Sequence, residues 1–150
     1  MVVTGIWGTF ASGWLGDLIL RRFSQAYLWV SGVAALLAVP LAWHVFVAPR
    51  PSVHLPAVVV AELLLFASTG LINSVIVNAV RPSQRATAVA LSILCIHLLG
   101  DVPSPPLIGR ISDASSLDRA VLIVPVAVFL AGALWVAEAW LGGRRARRAG

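Results

Sequence analysis

The sequence predicts an all-α polytopic membrane bundle of about five spans, and three observations carry that prediction. Of its 150 residues, 59% are hydrophobic and 11% are charged, with a mean hydropathy of +0.93; a soluble domain is nearer a quarter charged. Such a chain cannot cover itself with polar surface, so lipid is its solvent. Its apolar residues gather in runs near or above the ~20 residues that cross a hydrocarbon core of about 30 Å. The eleven basic residues, all Arg, punctuate the gaps between those runs.

The spans fall at about 2–20, 26–47, 56–80, 84–111 and 120–141, followed by a basic tail at 142–150. Their connections are short and rich in breakers: Arg21-Arg22-Phe23-Ser24, Ala48-Pro49-Arg50-Pro51-Ser52 and Arg81-Pro82-Ser83. No soluble domain, linker or low-complexity segment interrupts them. Orientation follows from the arginines. One set of gaps holds Arg21, Arg22, Arg81, Arg85, Arg144, Arg145, Arg147 and Arg148; the alternate set holds Arg50, Arg110 and Arg119. The richer set is expected in the cytoplasm, which puts the C-terminus inside and the N-terminus outside a multi-pass cell (plasma or inner) membrane protein. Trp29, Trp43 and Trp140 fall near span ends, as interfacial belt residues do, whereas Trp7 and Trp135 lie deeper, as packing residues. The N-terminus lacks the basic region of a cleavable signal peptide.

Several classes drop out. The pI of about 11.4 suggests nucleic acid, but the arginines form no stripe with interleaved aromatics, so no nucleic-acid partner is expected. The single Cys95 leaves no internal disulfide and no multi-Cys metal site. No HExxH, paired catalytic carboxylates or Ser/His/Asp spacing appears, so an enzyme, a cofactor and a metal are not expected.

The first span carries two rows of small residues. Thr4, Gly8, Ser12 and Gly16 recur every four positions, beside Gly5, Thr9, Gly13 and Asp17. Such rows let another helix approach closely. The third span places Glu62, Gly70, Ser74 and Asn78 on one slowly drifting face, with Thr69 and Asn73 in the neighbouring row. Glu62 lies roughly 9 Å inside the span boundary at helical rise. An ionised Glu facing lipid at that depth costs kilocalories, so it is expected to face the protein interior. A structural hydrogen bond and a cavity-lining or proton-carrying role both remain open for it, and Asn73 and Asn78 equally suit interhelical hydrogen bonding.

The most informative stretch runs from Leu98 to Asp113. His97 and Asp101 stand one helical turn apart near the centre of the fourth span, and Gly100, Pro103, Pro105 and Pro106 are expected to break the helix there. Ionisable groups and an interrupted helix near the bilayer midplane suit a carrier and are costly elsewhere in lipid. A His beside a carboxylate can exchange a proton between about pH 5 and 8. The architectural alternative is a static pair that fixes the interrupted helix. Ser104 follows and joins the candidate set. Glu62, Asn73, Asn78, His97, Asp101 and Ser104 are thus the candidate substrate or proton path.

Two motifs resemble a known family. Gly13-Trp14-Leu15-Gly16-Asp17-Leu18-Ile19-Leu20-Arg21-Arg22 resembles the loop signature of the major facilitator superfamily, with Leu18 and Leu20 replacing its usual basic residue and Gly. The resemblance implies that Gly13, Asp17, Arg21 and Arg22 form a cytoplasmic gate; an interfacial ion pair is the plainer reading. More specifically, Arg81-Pro82-Ser83-Gln84-Arg85-Ala86-Thr87-Ala88, His97-Leu98-Leu99-Gly100-Asp101, Ser104-Pro105 and Ile108-Gly109…Ser112-Asp113 resemble the eleventh helix of the spinster-like family. Val102-Pro103 departs from the small residues common in that family.

The resemblance implies a partial major facilitator fold, helices eight to twelve, acting by alternating access on a small organic or lipid-like solute. It implies as partner the N-terminal half of the carrier, so the chain is expected to be a fragment or half rather than a complete transporter. The alternative from another class is a small membrane scaffold or assembly subunit that packs through the Gly8/Gly13 face and transports nothing itself.

Overall fold

The computed structural model describes residues 26–47 and 51–149, together with Ile6, Trp7, Phe10 and Trp14. Gly8, Gly13, Asp17, Arg21 and Arg22 lie outside the described residues, and with them the small-residue rows and the gate motif. The described elements are helical throughout. Helix α1 spans Ala26–Val47 and α2 spans Pro51–Asn78. A 3-10 turn at Pro82–Gln84 leads into α3, Arg85–Ile96, a π-helical turn at His97–Asp101, and α4, Ser104–Ala114. A short α5, Leu117–Ala120, precedes the long α6, Ile123–Ala149.

Among the described residues, four stretches are long and apolar enough to cross a membrane: Ala26–Val47, Val53–Asn78, Pro82–Ala114 and Leu117–Arg144. Helices α1 and α2 are apolar all the way round, with no polar face toward water, which is the pattern of a helix solvated by lipid or protein on every side. The residues expected as a tail instead continue α6 to Ala149. Arg and Ala are good helix formers, and the Arg144 guanidinium lies 3.5 Å over the Trp140 ring, one turn back, which holds this end of the helix together across Gly142 and Gly143.

Helix α1 is the centre of packing, clasped between α2 and α6. In lipid there is no hydrophobic drive between helices, so close van der Waals contact and buried hydrogen bonds must hold them. The buried positions are correspondingly small: Ala26, Ser31, Gly32, Ala34, Ala35 and Ala38 on α1, and Gly132 and Ala139 on α6. Between α1 and α2, the buried Ser31 hydroxyl donates to the carbonyl of Ser68 at 3.2 Å, and Leu71 is fully buried.

Between α1 and α6 the backbones nearly touch. A Cβ on Gly32 would meet Val136 Cγ2 at 2.6 Å, the Val136 nitrogen at 3.0 Å and the Gly132 carbonyl oxygen at 3.1 Å; one on Gly132 would meet Leu36 and Ala35 at 3.0 and 3.2 Å. Two of the atoms facing Gly32 are backbone and cannot swing aside. Gly32→Val is therefore expected to destabilise the bundle by ~1–3 kcal/mol, the usual cost of overpacking. Thermal unfolding in detergent measures it, and Val136→Ala should restore only part of the loss. Full rescue by Val136→Ala would show that backbone contact is not the constraint.

The fourth span differs from the rest: none of residues 82–114 is buried. It is tied to α2 through its connecting turn, where the Ala79 amide donates to the carbonyl of Val75.

Candidate functional site

The expected helix break resolves into something subtler. The backbone stays right-handed helical through Val102 and Pro103, with φ/ψ of −68°/−47° and −80°/−21°. Instead of unwinding, the helix widens by one residue. The Val102 amide donates to the His97 carbonyl at 2.9 Å, an i→i+5 bond, and α4 resumes with Leu107 donating to Pro103 at 3.1 Å. The cause lies in the prolines. Pro103, Pro105 and Pro106 lack the N–H that an α-helix would aim at the carbonyls of Leu99, Asp101 and Val102, and each ring would crowd the carbonyl four residues back. A π-turn lets the chain pass that crowded region without leaving the helical well. The Ser104 hydroxyl donates to the Gly100 carbonyl, a side-chain bond beside the missing amides.

On this turn His97 and Asp101 meet directly, Nδ1 to Oδ2, at 2.5 Å. Their side chains are 63% and 62% exposed, and Ser104 is exposed beside them. A Cβ on Gly100 would meet nothing within 4 Å. His97, Gly100, Asp101 and Ser104 thus form one open polar face, eight residues long, halfway along a 33-residue span. In hydrocarbon such a face costs kilocalories unless protein or water covers it.

Glu62 belongs to a different surface. It lines a groove of about 430 Å³ with Ala42, Phe46, Leu65 and Thr69 between α1 and α2, with Val124 of α6 also in the lining. Its surroundings are otherwise almost wholly apolar, so it supplies a single carboxyl in a space fit for a hydrocarbon chain. The structure does not bring it into the His97–Asp101 cluster. By helical rise Glu62 lies roughly 24 Å from the end of α2, and His97 and Asp101 lie roughly 22 and 28 Å along the fourth span from Pro82. Asn73 and Asn78 are exposed on α2, and the Ser74 hydroxyl bonds back to the Gly70 carbonyl at 3.2 Å. Among the described residues no group of three or more His, Cys, Asp or Glu could hold a metal.

No family model matches the chain. Individual relatives do. The chain is 33% identical over 135 residues to probable sphingolipid transporter spinster homolog 3 of Arabidopsis thaliana, covering 89% of this chain and 26% of that protein. It is 34% identical to spinster homolog 2 of the same plant, over the same share of this chain and 28% of that protein. It is 32% identical over 152 residues to the sphingosine-1-phosphate transporter SPNS2 of Xenopus tropicalis, covering 91% of this chain and 30% of that protein. The chain belongs to the spinster-like family of the major facilitator superfamily. The four apolar spans among its described residues are consistent with a partial major facilitator bundle, and it is a multi-pass membrane protein. This spinster-like chain spans about a quarter of the length of the curated relatives it matches.

Some features of the spinster-like chain escape a reading of its sequence. The Gly32–Gly132 crossing escapes because attention falls on the denser glycines of the first span; the signal is the spacing of Pro125, Gly132 and Ala139, every seven residues along α6. Glu138, an exposed acidic residue inside the last span, is equally easy to pass over. So are His44 and His54, which flank the connection between α1 and α2 and each keep one buried ring nitrogen without a hydrogen-bond partner.

Proposed function

We propose that this chain forms part of the translocation path of a lipid carrier that works by alternating access, as the C-terminal portion of a two-half transporter. The observation that carries the reading is the bare polar face on the fourth span. A His–Asp pair more than 60% exposed at mid-span has no stable place in lipid, so it calls for a covering surface or a wet cavity. A second half of the carrier supplies both. Carriers place binding and coupling groups at such interrupted mid-membrane helices, and the prolines leave the Leu99, Asp101 and Val102 carbonyls without α-type partners, as extra acceptors on the path.

The relatives are named for sphingolipids and sphingosine-1-phosphate, which supports an amphiphile with a hydrocarbon tail as substrate. In this reading His97, Asp101 and Ser104 hold the polar head or a coupled proton, and Glu62, with Asn73 and Asn78, lines the path from the α2 side. The groove around Glu62 suits a tail. Asp17 with Arg21 or Arg22 closes the cytoplasmic side, and the arginine distribution supports a cytoplasmic C-terminus.

The test is photocrosslinking. A sphingoid lipid carrying a photoactivatable group in its headgroup region is incorporated into membranes containing the complete carrier, and adducts are mapped by mass spectrometry. Adducts within residues 97–104 or at Glu62, displaced by unlabelled lipid, are expected. Adducts confined to the outward faces of α1 and α6, with no competition, would overturn the assignment.

A further inference from the structure

Where α1 begins and α6 ends, Trp29, Ala139, Trp140, Gly143 and Arg144 enclose a cavity of about 360 Å³ that has no part in the path described above. The two helices run antiparallel, with Gly32 against Val136, so the start of one lies beside the end of the other. Trp29 and Trp140 are 39% and 48% exposed, and Ala139 at the base is fully buried. The Arg144 guanidinium is stacked on the Trp140 ring at 3.5 Å. This cation–π contact fixes the group while leaving its N–H edge available to acceptors.

Among the described residues the ion pair seen is His97–Asp101, which does not involve Arg144. Glu138, the nearest acidic residue in sequence, lies six positions away and about 120° round the helix. Arg145, Arg147 and Arg148 follow directly on the same helix, so the local charge is strongly positive. An anion that settles here meets the Arg144 guanidinium, two indoles and the buried Ala139. Arginine recognises phosphate through its planar fork of donors, and tryptophan favours the depth where headgroup meets acyl chain.

The geometry points to a binding site for the phosphate headgroup of an anionic membrane phospholipid, held by Arg144 between Trp29 and Trp140. The occupant comes from the bilayer, because the indoles and the apolar base reward an acyl chain that a free phosphate lacks. The site does not depend on the carrier reading; it depends on the chain lying in a membrane.

Native mass spectrometry of the purified chain tests it, with phosphatidylglycerol mixed into phosphatidylcholine before detergent release. The wild-type chain should retain phosphatidylglycerol over phosphatidylcholine by at least about fivefold, equivalent to the ~1 kcal/mol that one basic side chain supplies at an anionic surface. Arg144→Gln should remove that preference. Gly143→Leu should remove it too, with every charge kept: a Cβ there meets nothing within 4 Å, so the protein accepts the side chain while the cavity fills. Arg147→Gln with Arg148→Gln, which keeps Arg144, should retain it.

Both single variants lie at an exposed helix end, and if one fails to give monodisperse protein the other decides. The proposal is overturned if Gly143→Leu or Arg144→Gln binds like wild type, or if the Arg147/Arg148 double variant loses the preference equally. Equal retention of phosphatidylcholine would also overturn it, as would inorganic phosphate displacing the lipid at concentrations that leave other lipids bound.

Discussion

Asp101→Asn in the complete carrier should reduce lipid transport at least tenfold, a barrier increase of ~1.4 kcal/mol or more, without reducing the amount of protein in the membrane. The substitution is chosen for what it preserves. Asn has the shape of Asp, and its carbonyl oxygen still accepts a hydrogen bond from a neutral His97 Nδ1 one turn away. A purely architectural pair therefore survives it: the π-turn stays closed by the Val102-to-His97 bond, and the side chains stay paired. What disappears is the negative charge. His97→Ala should act in the same direction. Full flux in Asp101→Asn would reduce the pair to architecture.

Gly100→Leu should be as damaging, for a steric reason. In the described structure a side chain at Gly100 has open space, with nothing within 4 Å of its Cβ. Gly100 also stands between His97 and Asp101 on the polar face. If that face meets only lipid, a leucine there is harmless or even favourable. If it lines a path or receives another helix, leucine blocks the approach, and transport should fall by at least tenfold. Flux separates the two, and circular dichroism checks the fold: helix content should be unchanged while flux is lost. Gly109 offers the comparison, since a Cβ there also meets nothing within 4 Å. Gly109→Leu with near-normal flux would locate the sensitive surface at the π-turn rather than along the whole span.

The architecture was legible in the sequence for a simple reason. Lipid tolerates only helices whose backbone groups pair within the segment, so long apolar runs separated by arginines and prolines translate almost directly into spans. The ends were less legible. Helix α6 runs on through Gly142 and Gly143 to Ala149, because stacking of Arg144 on Trp140 offsets two weak helix formers, and that contact cannot be read from either residue alone.

At the site, the residues that meet were legible and the conformation was not. An i, i+4 spacing places His97 against Asp101 in any helix, and they do meet. Three prolines within four positions suggest a break, yet the chain absorbs them by widening one turn and keeping its helical dihedrals. Local sequence counts lost donors; it does not say whether a neighbouring turn can rearrange to accommodate them. The tight α1–α6 crossing was hidden for a related reason. Gly32 and Gly132 are unremarkable singly, and their meaning arises only when the two helices lie face to face.

The most direct measurement of the central claim is uptake of a fluorescent sphingoid lipid into vesicles. One preparation holds the 150-residue chain alone, and the other holds it together with the preceding helices of the carrier. Flux no greater than that of empty vesicles is expected in the first, where the His97–Asp101 face stays uncovered, and saturable flux in the second. Transport by the chain alone, or none by the two together, would contradict the claim.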